Sequence, residues 1–213
     1  KVSEESSTSP YEFAFIMLAQ VQEALGEYDD AQKSAEIALT TLHNGNNKLG
    51  IAWSLQLLGS LAWHNGNHAT AQAYSEKGLA MLKEIGLSGF QARSLNTLGN
   101  IAYALGQYEV AKGHFCAALA VLPPDLASWT LNIADSLTGI ALLLNAEGKA
   151  GQALELLQLA LGMPTIKQDT KEQAKRLLTD VRTKLPEARN IATAQTTRPL
   201  ATVIAELLRS RSP

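Results

Sequence analysis

The chain has 213 residues, a formal net charge of −2, 46% hydrophobic residues and only 6% aromatic residues. This balance argues against a nucleic-acid surface, which needs a basic stripe, and no run approaches the roughly 18 uninterrupted apolar residues of a membrane helix. Leucine and alanine dominate, which favours packed helices over sheets. The single cysteine, Cys116, argues against a disulfide framework and fits a reducing, cytoplasmic location.

The first ten residues, KVSEESSTSP, are polar and rich in serine. This composition predicts a disordered linker over residues 1–10. The segment has no apolar core, so it is not a signal peptide, and no initiator methionine precedes it. We interpret it as the edge of an excised fragment or as a linker from an upstream domain.

A repeated unit follows this segment. Its turn glycines, Gly26, Gly66, Gly106 and Gly148, are 40, 40 and 42 residues apart. An alanine stands five residues after each glycine, and a small residue followed by leucine stands twelve residues after it. Eight residues before each glycine is a leucine or isoleucine (Leu18, Leu58, Leu98, Ile140). Apolar residues spaced three and four apart on both sides of each glycine predict two helices joined by a tight turn.

The spacing predicts four such units, at 11–46, 47–86, 87–124 and 125–166. The first helix of the first unit is expected from Tyr11 to Leu25, with Gln22 where a core residue would normally stand. The first helix of the fourth unit is expected from Leu126 to Asn145, with Asp125 as its N-cap. Cys116 is expected to be a small core residue.

Residues 167–213 fall outside the repeat. A charged amphipathic helix is predicted from Asp169 to Leu185, and Pro186 ends it. The stretch 188–197 has weak helical character, Pro199 can start a last helix that ends near Leu208, and the tail 209–213 is expected to be disordered. Because the terminal units of a repeat array need a polar outer layer, we interpret residues 167–208 as capping helices.

The turns GEYDDA, GNHATA, GQYEVA and GKAGQA resemble those of tetratricopeptide repeats, although the unit here is about six residues longer than the common period of about 34. The resemblance covers roughly Tyr11 to Met163. It implies an all-α fold: a right-handed tetratricopeptide superhelix, or α-solenoid, of about four helix pairs with C-terminal capping helices.

The longer repeat GIAWSLQLLGSLAWHNGNHATAQAYSEKGLAMLKEIG also resembles the C-terminal sensor arm of bacterial signal-transduction ATPases, the group that includes the maltose-regulon activator. The segments Arg176–Leu185 and Pro199–Leu208 are similar to the closing helices of such proteins. This second resemblance implies that the chain is the sensing part of a multidomain bacterial regulator. An effector that favours one arrangement of the repeats would then shift the ATPase between its resting and oligomerising states.

No arrangement of residues predicts catalysis. His64 and His68 have the i, i+4 spacing of a zinc pair, but Gly66 lies between them at the turn, so they do not share a helical face. His114 and Cys116 are two residues apart and point in different directions. Without a glycine-rich phosphate loop, a nucleophile motif or paired carboxylates, we expect no enzyme activity, no metal and no cofactor.

The resemblance to tetratricopeptide repeats implies a concave groove lined by the first helix of each pair. Mapped onto this sequence, the groove positions are Trp53, Gln56, Ser60, Trp63 and His64 in the second unit, Arg93, Asn96, Asn100 and Tyr103 in the third, and Asp135, Thr138, Leu142 and Asn145 in the fourth. Aromatic and amide side chains with one arginine suit an extended peptide or a polar ligand.

Two other interpretations of these positions stay open. Trp63 and Tyr103 could pack on neighbouring first helices while Asn100 bonds the backbone of the next unit. Arg93 and Asn100 fit a clamp for a C-terminal carboxylate only loosely, because Gln56 and Thr138 stand where further basic residues would help.

Two hypotheses for the function follow. The first is the non-catalytic sensor arm just described, which binds a protein, a peptide or a small effector. The alternative is a free-standing tetratricopeptide scaffold or co-chaperone that binds an extended peptide. Both imply a protein partner, with self-association as a further expectation, and neither implies binding to nucleic acid or to a membrane.

Overall fold

The computed structural model describes residues 10–123, 125–185 and 198–209, and within these ranges the backbone forms helices and turns without a strand. A 3-10 turn, Leu126–Trp129, precedes the seventh helix. The α-helices are α1 Pro10–Leu25, α2 Tyr28–Asn44, α3 Lys48–His64, α4 His68–Ile85, α5 Gln91–Ala104, α6 Tyr108–Ala120, α7 Thr130–Ala146, α8 Ala150–Leu161, α9 Gln168–Lys184 and α10 Leu200–Arg209.

The helices pack in the order in which the chain makes them. Within pairs, α1 packs on α2, α3 on α4 and α7 on α8, and between pairs α2 packs on α3 and α6 on α7. The predicted fold class, an all-α solenoid of tetratricopeptide type, is therefore confirmed. We call α1, α3, α5 and α7 the A helices and α2, α4, α6 and α8 the B helices.

Three sequence predictions fall on residues that lie outside the described ranges. The predicted linker 1–10 does so except for Pro10, which begins α1. The weakly helical stretch 188–197 lies outside them as well. So does the predicted disordered tail 209–213, except for Arg209, which the structure places at the end of α10. The predicted start of the fourth A helix is wrong, because α7 begins at Thr130. The preceding turn is 3-10, and Asp125 caps it by accepting a hydrogen bond from the backbone N–H of Ala127 at 3.3 Å.

The chain divides into two compact units, residues 1–97 and 98–213, and the boundary falls within α5. The predicted unit bounds at 46 and 86 lie in the connections between helices, and the bound at 124 falls on a residue outside the described ranges. All three stay predictions.

The turn glycines explain the period of the sequence. All four turn glycines lie in the left-handed region of backbone space. Their φ angles are 82° at Gly26, 73° at Gly66, 74° at Gly106 and 76° at Gly148. Glycine adopts this conformation without the steric cost that a Cβ would add. Each glycine ends an A helix and lets the B helix begin two residues later.

The core of unit 1 depends on small residues in α2. Ala31 and Ala35 are fully buried, and they form one apolar cluster with Leu57, Leu58 and Leu61 of α3. Because an alanine side chain is short, the backbone of α2 can approach α3 closely, and the leucines fill the space between the helices. This contact joins the first helix pair to the second.

The core of unit 2 is built around Phe115 of α6, which is fully buried. A Cβ added to Gly99 of α5 would lie 2.6 Å from the Phe115 ring, and one added to Gly139 of α7 would lie 2.3 Å from it. The ring therefore occupies space that two glycines leave free. Cys116, beside it, is buried in the same core, as predicted.

The last two helices cover part of unit 2. α9 packs on α8 and α7 through Ala174, Leu177 and Val181, which are buried. α10 packs on α6 and buries Val203 and Ile204. These contacts agree with a capping role.

The stretch Leu126–Ala146 is long and apolar enough, by length and composition, to cross a membrane, and half of its most apolar window is buried. Asn132 and Asp135 interrupt its apolar residues, so the stretch is apolar on average but is not an unbroken apolar run. Ile133 and Leu137 are fully buried in the core of unit 2. Helix packing thus accounts for the apolar character of α7.

The Phe115 contact predicts that Gly139→Ala destabilises the protein. The new methyl group would overlap the ring, and overpacking of this kind costs about 1–3 kcal/mol of unfolding free energy. Gly151→Ala is the control, because an added Cβ at this exposed position of α8 meets nothing within 4 Å. The control should gain about 0.5–1 kcal/mol from helix propensity. Urea unfolding measures both values, and a gain in both variants would contradict this account of the core.

Candidate interaction surface on the A helices

The predicted groove residues of α3 lie on one helical face. Trp53, Gln56, Ser60 and Trp63 follow one another at intervals of three and four residues. Trp53 and Trp63 are partly exposed, whereas Gln56 and Ser60 are only 2% and 4% exposed. The two polar residues therefore form the floor of this surface and the two tryptophans stand at its ends.

Both floor residues make hydrogen bonds to other parts of unit 1. The side-chain amide of Gln56 donates to the backbone carbonyl of Phe90, just before α5. The hydroxyl of Ser60 donates to Oε1 of Glu23 on α1, at 2.5 Å. Buried polar groups need such partners because an unsatisfied one costs free energy. These side chains thus link neighbouring A helices.

Arg93 completes this link. Its Nη1 lies 3.0 Å from Oε2 of Glu23, and the side chains of Arg93 and Glu23 are only 15% and 3% exposed. One buried carboxylate on α1 therefore holds a hydroxyl from α3 and a guanidinium from α5. We call Glu23, Ser60 and Arg93 the buried acid cluster.

Aromatic rings surround Trp53. Phe13 of α1 lies edge-on to it with the ring centroids 6.2 Å apart, and Phe90 does the same at 5.3 Å. Trp53 also packs against the apolar cluster that contains Ile16 and Leu42. This tryptophan is therefore largely part of the core.

Trp63 has a different environment. Its ring stacks on His68, the first residue of α4, with the centroids 4.8 Å apart. His64 stacks on Tyr28, the first residue of α2, at 4.5 Å. The ring partner of Trp63 belongs to its own helix pair, and the interpretation that Trp63 packs on a neighbouring A helix stays a prediction. The two histidines therefore stack on different aromatic rings.

In unit 2 the predicted residue Asp135 is bound within the fold. Its Oδ1 accepts a hydrogen bond from the hydroxyl of Thr170 at 2.5 Å, and its Oδ2 lies 3.0 Å from Nζ of Lys167. Thr138 is 1% exposed, and its hydroxyl has no hydrogen-bond partner among the described residues. Leu142 is partly buried against the core.

Asn145 and Tyr103 lie near the ends of their A helices. The amide of Asn145 donates to Asp180 of α9 at 2.8 Å and accepts from Lys184 at 3.1 Å. Hydrogen bonds from Lys184, and then from Asn145, lower the pKa of Asp180. The Tyr103 ring lies 5.5 Å from that of Tyr108, and burial, followed by the charge of Tyr108, raises the pKa of Tyr103.

Seven of the predicted groove residues fall into two groups. Trp53, Gln56, Ser60, Trp63 and Arg93 lie on the A helices of unit 1. Asp135 and Asn145 contact α9 in unit 2. Asn96 is 3% exposed and Asn100 is partly exposed. The assignment of these residues to a ligand groove stays a prediction. What the structure adds is that several of their polar atoms are already used by the fold.

Sequence reasoning missed the partners of these residues, namely Glu23, Lys167, Thr170 and Asp180. A signal was present in the spacing. Ser60 and Glu23 are 37 residues apart, whereas Thr170 and Asp135, and Asp180 and Asn145, are each 35 apart. These separations are close to one repeat, so pairing polar residues across one period would have found these three contacts. Within the described residues, no group of three or more histidines, cysteines or carboxylates could hold a metal ion.

The consecutive packing of helix pairs is that of an α-solenoid of tetratricopeptide type. Residues 12–84 match the tetratricopeptide repeat family. No curated protein matches the chain at a significant level. These comparisons indicate no catalytic family.

Solved structures resemble this chain over more than nine-tenths of its length. BtubC (BKLC) from P. vanneervenii is 20% identical, with a TM-score of 0.61 over 93% of this chain and 81% of that one. A candidate kinesin light chain of Podosopora anserina with nearly identical TPR-like repeats is 17% identical, with a TM-score of 0.53 over 92% of each chain. Its Q17M variant gives 17% identity and a TM-score of 0.54. At these identities the likeness shows the fold.

The buried acid cluster predicts a large effect of Arg93→Met. The substitution leaves the Glu23 carboxylate buried without its cation, which we expect to cost about 3 kcal/mol of unfolding free energy. In the double variant Glu23→Gln, Arg93→Met no charge stays buried, so it should recover at least about 1 kcal/mol of that loss. Urea unfolding of the single and double variants measures the coupling.

Lys33→Met is the matched control. It breaks the ion pair with Asp30, whose two side chains are 70% and 62% exposed. An exposed pair of this kind contributes at most about 1 kcal/mol. If Arg93→Met cost no more than Lys33→Met, the cluster would not support the fold as described.

Proposed function

We propose that the protein is a non-catalytic scaffold that binds an extended peptide segment of a partner along the A helices of unit 1, with Trp63 as the main anchor. The observation that supports this most directly is the state of Trp63. Its ring is partly exposed, stacks on His68, and belongs to neither of the two apolar clusters described in unit 1. A large aromatic side chain that the core does not use is a favourable anchor for a partner.

The rigidity of the floor supports the same proposal. Gln56 is held by Phe90, and Ser60 is held by Glu23, which also pairs with Arg93. Side chains that the fold already orders lose little conformational freedom when a partner binds, so less free energy is spent on association. Repeat arrays commonly offer extended surfaces of this kind to their partners.

The charge on this surface bears on the kind of peptide. Arg93 is the basic residue of the predicted groove, and the carboxylate of Glu23 neutralises it. A terminal carboxylate would have to compete with Glu23 for the guanidinium, which argues against a carboxylate clamp. We therefore favour a peptide that offers an apolar or aromatic side chain to Trp63 and backbone groups to its polar neighbours.

Several finer expectations rest on the sequence. The resemblance of Arg176–Leu185 and Pro199–Leu208 to closing helices supports the proposal that the chain serves as the arm of an ATPase regulator. A small effector and a cytoplasmic location are further expectations of the same kind. They stay predictions.

Peptide selection tests the proposal. Peptides of about 12 residues, selected from a random library on the full chain, are titrated against wild type and variants by calorimetry. Trp63→Ala should weaken binding about thirtyfold, because losing a buried anchor costs about 2 kcal/mol. Its urea midpoint should change little, since Trp63 lies outside the apolar clusters of unit 1.

Two further variants make the result specific. Glu76→Ala, on the exposed side of α4, should change neither binding nor stability. Trp53→Ala should lower stability, because this ring packs between Phe13 and Phe90 and against the core. If Trp63→Ala remained folded and bound the selected peptides as well as wild type, the binding surface would lie elsewhere and the proposal would be wrong.

A further inference from the structure

The outer face of α1 is apolar and uncovered. Four of its large side chains are about half exposed or more, although they lie within eight residues of one another. Among the side chains of α1 that the structure describes, the one with a charge is Glu23, and it belongs to the buried acid cluster. The exposed residues are Met17 (54%), Leu18 (46%), Val21 (56%) and Leu25 (67%).

The repeat shows that this face is built for a contact. Forty residues further on, Leu57, Leu58 and Leu61 stand at the positions of Met17, Leu18 and Val21, and they are at most 2% exposed. In α3 the preceding helix pair covers them, through Ala31 and Ala35 of α2. The first repeat keeps large apolar residues at these positions, namely Met17, Leu18 and Val21, but no described helix covers them.

The geometry of α1 fits a second copy of itself, and we propose that two copies of this chain associate through antiparallel packing of α1 on α1. Ala14, Leu18, Val21 and Leu25 are spaced by four, three and four residues, the heptad spacing at which two helices interlock. All four positions are exposed. Side chains with this spacing form one seam along the helix.

The seam is complementary to itself in size. In an antiparallel pair centred between Leu18 and Val21, the small Ala14 of one copy lies opposite the large Leu25 of the other. Leu18 lies opposite Val21 in the two central layers. Pairing large with small side chains fills the space between helices without overlap. The seam has no charge, so two identical faces meet without repulsion, as a two-fold contact requires.

Stacking in a head-to-tail manner is a poorer alternative. The B helix that would have to cover α1 in such a stack is α8, and α9 already packs on it. Ala153, Leu154 and Leu157 of α8 share one buried cluster with residues of α9. The contact buries one helix face per copy, which places it at the low end of specific interfaces. We therefore expect a dimer with a dissociation constant of about 1–100 µM.

Sedimentation equilibrium of the full chain tests this directly. Wild type should pass from monomer to dimer as its concentration rises to about 200 µM, well above the expected dissociation constant. Leu18→Lys places a charge in both central layers and should raise the dissociation constant at least about tenfold. Ile37→Lys is the matched control, since Ile37 on α2 is also 46% exposed, and it should leave the dimer unchanged.

Mixing two variants tests the register. Leu18→Lys in one copy faces Val21→Glu in the other, so a mixture of these chains should form a heterodimer more readily than either chain forms a homodimer. Helical circular dichroism should match wild type throughout, because both positions are exposed. A wild type that stays monomeric up to about 200 µM overturns the proposal and leaves the face to a different helical partner. Equal dimerisation of wild type and Leu18→Lys overturns it as well.

Discussion

The structure depends on how one side chain of each B helix fits between two A helices. In unit 1, Ala35 is small and shares a cluster with the large Leu57 of the next A helix. In unit 2, Phe115 is large, and glycines at 99 and 139 leave room for its ring. Because the sum of the two volumes sets the distance between helices, a small residue on one side compensates for a large one on the other. This compensation keeps the repeat regular although its sequence varies.

Regular packing also explains why polar side chains between A helices are used by the fold. Packing of one A helix on the next brings residues about one repeat apart into hydrogen-bonding range, as Ser60 and Glu23 show, and Asp135 of α7 reaches Thr170 of α9 over a similar separation. A polar group buried there must find a partner within the protein. Many residues that a groove would offer to a ligand are therefore already bonded, and the partly exposed aromatic residues at the helix ends become the more accessible contacts.

The fold could be predicted because its signals are local and periodic. A glycine at φ near 75° ends each A helix, and small residues recur at the same distance from it, so the recurrence of pairs such as Gly66 and Ala71 identifies the repeat. The site could only be predicted in part. Whether Gln56 or Trp63 faces a ligand depends on Phe90 and His68, and the side-chain pattern of one helix does not contain that information. Leu18 shows the same limit, since the repeat predicts a core residue and the structure leaves it exposed.

The proposed peptide surface and the proposed dimer contact lie on different faces of α1. An α-helix turns by about 100° per residue, so Val21 lies about 200° and Leu18 about 140° away from Glu23 around the helix axis. Glu23 points to Ser60 and Arg93 at the floor of the proposed peptide surface, and the apolar seam is therefore on the opposite side. A dimer formed through that seam would present two peptide surfaces at once. Two weak sites on one assembly bind a partner with repeated motifs more tightly than either site alone, because the second contact becomes intramolecular. A micromolar dimer would then make such binding depend on the concentration of the protein itself.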